Sequence, residues 1–73
     1  MENQVKIIIK NIRLERLKKE YSQEIMASSL GISQNAYSKI ENGKTTLTVI
    51  RLQEIAAVLE IPFEKLLKEL KLI

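Results

Sequence analysis

The sequence predicts a compact all-α domain of five helices, and three observations carry that reading. Apolar residues recur at spacings of three and four through most of the chain, the pattern of helices with one buried stripe. The two glycines and the one proline fall between the periodic segments, where a helical bundle is punctuated. The one stretch of β-branched character, Ile7-Ile8-Ile9, runs on into a helical pattern, so no strand is expected.

The first helix is predicted over residues 3–19. Val5, Ile8, Ile9 and Ile12 share its apolar stripe. Arg16 falls on the same stripe, and a cation there must be paired or must reach past the core to water. Ile7 and Leu14 lie on another side and suit either isolated surface positions or a small contact patch. The second helix, 23–30, starts after Ser22 as N-cap and turns Met26, Ala27 and Leu30 inward. Gly31 stands where a left-handed residue closes a helix. The third helix, 34–41, follows Ser33 as N-cap. Ala36, Tyr37 and Ile40 occupy its inner arc; Gln34, Asn35, Ser38 and Lys39 occupy the outer one. Asn42-Gly43 ends it. The fourth helix, 49–59, starts after Thr48 and buries Val49, Leu52, Ile55, Ala56 and Leu59. The fifth begins near Pro62, with Phe63, Leu66, Leu67 and Leu70 on its apolar side.

Composition narrows the function classes. Residues 1–73 are read as one domain with no room for a second, and so small a core is only marginally stable unless chains associate. There is no Cys and no His, and every acidic residue is Glu. Disulfides, the usual metal ligands, the common general base and every Asp-based catalytic arrangement are thereby missing. No enzyme, metal, cofactor or small-molecule effector is expected. No apolar run is long enough to span a membrane, and the N-terminus lacks the features of a secretory signal. A cytoplasmic, nucleoid-associated location is expected. A net charge of +3 suits an acidic partner without demanding one.

The informative segment is Ser22 to Lys44. It reads as two short helices joined by a Gly-Ile-Ser corner, spanning about 22–41, the second carrying a polar outer face. This is the sequence form of a helix-turn-helix, and it points to double-stranded DNA. On these residues the chain resembles the lambda-repressor-like, or Cro/XRE-type, helix-turn-helix family. The markers are Ser22-Gln23, Ala27, Leu30-Gly31-Ile32-Ser33 and Ser38-Lys39-Ile40-Glu41-Asn42-Gly43-Lys44. Leu52, Ile55-Ala56, Leu59, Phe63 and Leu66-Leu67 follow in register. Each is weak alone; their order and spacing over roughly residues 8–67 are specific.

The resemblance implies a dimeric transcriptional regulator, a repressor in the main reading, that lays its third helix in the major groove. It makes Gln34, Asn35, Ser38 and Lys39 the base-contacting residues. Ser22, Gln23, Ser33, Asn42, Lys44, Thr45 and Thr46 become contacts to the sugar–phosphate backbone. It pairs Arg16 with Glu41, the partner that Arg16 needs, and has Gln23 brace Gln34 against an adenine. Departures from the family pattern are Glu20 and Glu60 in place of frequent glycines, Ile25 in place of a capping-box Glu, and Leu47 in place of a frequent Pro.

The chemistry fits. A Gln or Asn amide presents a donor and an acceptor at the spacing of adenine N6 and N7. Lysines, hydroxyls and helix N-termini supply phosphate contacts. The formal charge between Ser22 and Thr48 is zero, so binding is expected to need two half-sites. Residues 66–73 carry more apolar side chains than one helix face needs and are read as a candidate dimer seam, with Ile7 or Leu14 beside it. An antitoxin, a restriction–modification controller, or a protein-interaction module without DNA binding remain alternatives on this fold. A protein partner, a toxin or a co-regulator, stays open with them.

Overall fold

Side-chain caps and left-handed turns divide this chain. The structure, a computed structural model, describes residues 4–70. Within them lie α1 (Gln4–Lys18), α2 (Gln23–Leu30), α3 (Gln34–Glu41), α4 (Val49–Leu59) and a 3-10 helix (Phe63–Leu67). The bounds of α2, α3 and α4 are those expected. Ser22, Ser33 and Thr48 accept from the backbone N–H of Ile25, Ala36 and Arg51, each at 3.0 Å. The departure at Ile25 leaves its cap intact, because the donor is its backbone.

The α-helices all end the same way. Glu20, Gly31, Gly43 and Glu60 have φ of 59°, 72°, 71° and 57°. After each of them the chain reaches back five residues: Tyr21 N–H to Arg16 O, Ile32 to Ala27, Lys44 to Lys39 and Ile61 to Ala56, at 2.9–3.1 Å. Glu20 and Glu60 therefore adopt the conformation that normally calls for glycine. The turns are kept and the strain is borne.

The core gathers Ile12 of α1, Met26 and Ala27 of α2, Tyr37 and Ile40 of α3, Leu52, Ile55, Ala56 and Leu59 of α4, and Leu66. Two residues expected inside are outside. Val5 is 45% and Val49 62% exposed, each in the first turn of its helix. Leu47, in place of a proline, packs partly buried against the core instead.

The fifth helix is the main correction. It is a five-residue 3-10 helix, so the described residues form four α-helices and one 3-10 turn. Asn11, buried on α1, explains the early stop. Its Nδ2 donates to Leu66 O at 3.0 Å and to Lys68 O at 2.9 Å. These are carbonyls that a longer helix would spend on its own ladder. The chain then turns at Glu69, φ 70°. The candidate seam over 66–73 needs the same correction at its start. Leu66 is wholly buried and closes the core, so it is not free to meet a second chain. Leu67 and Leu70 are half-buried, while Leu72 and Ile73 lie outside the described residues.

Candidate nucleic-acid interface

The corner is held by one buried carboxylate. Arg16 on α1 donates to Glu41 through Nε at 2.7 Å and Nη2 at 3.1 Å, and its Nη1 donates to Tyr21 O at 2.8 Å. Tyr37 Oη donates to the same carboxylate at 2.6 Å, and Gln23 Nε2 at 3.1 Å. The Glu41 side chain is 1% exposed and that of Arg16 11%. One acidic group thus joins α1, α2 and α3 and fixes the angle at which α3 is presented. The pairing expected for Arg16 is present. In the chain alone the Gln23 amide N–H goes to Glu41, and no hydrogen bond joins it to Gln34. Glu41 is the stronger acceptor, being ionised and buried.

The electrostatics follow from that geometry. Burial works to raise the pKa of Glu41. Hydrogen bonds from Arg16, Tyr37 and Gln23, with the charge of Arg16, outweigh it and hold the carboxyl below its usual range. The Arg16 guanidinium is pushed up, chiefly by its hydrogen bond to Glu41, against the effect of burial. The Tyr37 hydroxyl is pushed well above its ordinary value by burial and by donating to the carboxylate. With Glu41 neutralised by Arg16, the surface between Ser22 and Thr48 shows Lys39 and Lys44 against Glu24 alone, a small positive excess.

The outer arc of α3 is where the sequence puts it. Tyr37 and Ile40 anchor the helix inward, and Gln34, Asn35 and Lys39 are exposed on the other side. Ser38 is half-buried, and its Oγ accepts from Asn42 Nδ2 at 3.2 Å. Ser22 and Ser33 are exposed caps, whose hydroxyl protons remain free to donate. Asn42, Lys44, Thr45 and Thr46 lie exposed on the segment after α3. Gln23 is half-buried and committed to Glu41, so as a backbone contact it must use what the carboxylate leaves.

Other neighbours of this surface went unread in the sequence. Arg13 donates through Nη2 to Glu41 O at 3.0 Å, closing the C-terminal end of α3. Thr48 and Arg51 join Thr45 and Thr46 around a shallow depression against Ile32, Ala36 and Ile40. The signal for Arg13 was the spacing Lys6, Lys10, Arg13, one face of α1. Among the described residues no group of three or more His, Cys, Asp or Glu could hold a metal ion. No helix there is long and apolar enough to cross a membrane.

Two short helices set across a glycine corner, the second exposing a polar arc and tied to the first by Gln23–Glu41, make a helix-turn-helix DNA-binding domain. A family model described as helix-turn-helix matches residues 12–66. Control protein C.MunI of a Mycoplasma species is 35% identical over 72 residues, covering 94% of this chain and 96% of that protein. The chain belongs to the helix-turn-helix family of Cro/C1 type and is a DNA-binding transcriptional regulator, in a family of regulators rather than of enzymes.

Proposed function

We propose that the protein is a sequence-specific regulator that reads double-stranded DNA as a homodimer, with α3 in the major groove. The exposed arc of α3 carries this reading. Gln34 and Asn35 occupy its first turn, where the side chains of an inserted helix reach base edges, and Lys39 lies one turn further on. Ser22, Ser33, Asn42, Lys44, Thr45 and Thr46 flank that arc and supply phosphate contacts. The small positive excess of this surface gives one copy little non-specific grip, which favours two half-sites bound together. Leu67, Leu70 and the residues beyond them are the proposed seam. A protein that reads duplex DNA works where that DNA lies, in the cytoplasm and its nucleoid.

Repression is the main reading, and a controller role is the second. The similarity over nearly full length to a protein named as a control protein favours the controller over an antitoxin. A protein-interaction module without DNA binding is the remaining alternative, and a toxin or co-regulator partner goes with these readings.

Selection of bound duplexes from a random pool, with the native protein and with Gln34→Ala, tests the proposal. The native protein is expected to enrich a palindrome with half-sites about one helical turn apart. Gln34→Ala is expected to relax the choice at one base pair per half-site, at a cost of about 1–3 kcal/mol. Enrichment of no sequence sinks specific DNA reading; an unchanged motif with Gln34→Ala moves the reading face elsewhere.

A further inference from the structure

From Gln4 to Arg13 the chain carries Lys6, Lys10 and Arg13 and not one acidic residue. The first turn of α1 has no acid at all. This placement opposes the helix macrodipole, which favours negative groups at an N-terminus and disfavours Lys6 there. Lys6 and Lys10 are exposed and engage no acidic group among the described residues. Lys18, Lys19 and Arg51, by contrast, are spent on Glu15, Glu60 and Glu54. The three cations of the stripe, at spacings of four and three, fall on one face of α1.

That face adjoins the turn after α3. Lys6, Lys10 and Arg13 line an open cleft of about 310 Å³ whose other wall includes Asn42 and Gly43. Gly43 sits directly on α1: a Cβ there would lie 3.4 Å from Ile9 Cδ1. Arg13 reaches across to the last carbonyl of α3. The one acid in the cleft, Glu41, is buried and already neutralised by Arg16. Lys6 and Lys10 therefore continue the surface of Asn42 and Lys44 with their charge unspent, and Arg13, half-exposed with its Nε 3.6 Å from Glu41 Oε1, joins them to the end of α3. Its run of about 10 Å along the helix matches the axial rise of about three phosphates on one strand.

We propose that Lys6, Lys10 and Arg13 form a second phosphate track, which carries the backbone contact of Asn42 and Lys44 onto α1. The proposal rests on the DNA reading above. It makes α1 a contributor to affinity in every sequence context and to choice of sequence in none.

The test measures duplex affinity against salt for the native protein, for Lys6→Gln/Lys10→Gln, and for Lys65→Gln on the 3-10 helix. Both lysines of the pair are exposed, and removing them relieves the dipole, so folding is retained. The pair is expected to flatten the slope of log affinity against log salt by about two units, since each phosphate contact contributes about 0.9. Operator and unrelated duplexes are expected to lose affinity alike, the selected motif is expected to stay the same, and Lys65→Gln is expected to keep the native slope. An unchanged slope in the pair overturns the track. So does an equal loss per charge in Lys65→Gln, which would make the effect one of net charge. If the native protein itself binds no duplex in a salt-dependent way, the DNA reading falls, and that outcome is distinct from the other two.

Discussion

Glu41 is a carboxylate inside a core of about ten apolar side chains, and it survives there because every neighbour that faces it is a donor. Arg16, Tyr37 and Gln23 all point hydrogens at its two oxygens. Removing the carboxylate strands a cation, a phenol and an amide together. Glu41→Ala is expected to cost about 3–5 kcal/mol, a large share of the roughly 4–11 kcal/mol that a chain of this length has. Tyr37→Phe removes one donor and leaves the ion pair, and is expected to cost about 1.5–3 kcal/mol. Urea unfolding checks both; a loss below about 1 kcal/mol for Glu41→Ala would mean that the group is not the tie described. That Arg16 needed a partner was legible from its place on an apolar stripe. That Gln23 would serve the same carboxylate was not. The two glutamines suited each other as well as either suits Glu41, and only the packing of α2 on α3 decides which acceptor is near.

At the scale of elements, the helix starts were readable because each depends on one side chain in a fixed place. Ser22, Ser33 and Thr48 all cap where their spacing implies. The ends depend on backbone conformation, and there the sequence was mute at Glu20 and Glu60. Non-glycine residues in this region cost about 1–2 kcal/mol, offset in part because glycine loses more freedom on folding. Glu20→Gly is therefore expected to stabilise the protein by about 0.5–1 kcal/mol, raising Tm by roughly 2–8 °C. Glu60→Gly should do the same within a few tenths, since its pair with Lys19 is exposed and worth little. A thermal melt that moves down for both would show that the glutamates are held by something other than tolerated strain. The 3-10 helix was misread for a different reason. Its apolar spacing suits a full helix equally well, and what shortens it is Asn11, a residue far away in sequence, on the stripe of Ile7 and Leu14 that was left to the surface.

Across the whole molecule, α1, α2 and α3 meet at a single ionised cluster, so their mutual orientation is tied to its protonation. Glu41 in the folded state holds its pKa below the ordinary carboxylate value of about 4.5. As pH falls below that value the unfolded chain takes up a proton that the folded one refuses, and stability drops until the folded carboxyl is itself protonated. Tyr37 has the opposite sense. Its folded pKa lies above the ordinary value of about 10, so above pH 10 the unfolded chain loses a proton that the folded one keeps, and stability drops again. Between these limits the cluster contributes in full. Unfolding free energy measured against pH is expected to be flat across neutral pH with a falling limb on each side, each no steeper from one group than about 1.4 kcal/mol per pH unit. Glu41→Gln separates the cluster from the remaining carboxylates. The variant is expected to be less stable at neutral pH and shallower on the acid limb, because the refused proton is no longer there to refuse. Tyr37→Phe is expected to flatten the alkaline limb and, by removing one of the hydrogen bonds that hold the Glu41 carboxyl down, to make the acid limb somewhat shallower as well. If Glu41→Gln keeps the native acid limb, some other carboxylate governs acid unfolding, and the orientation of α3 is set by apolar packing rather than by the cluster.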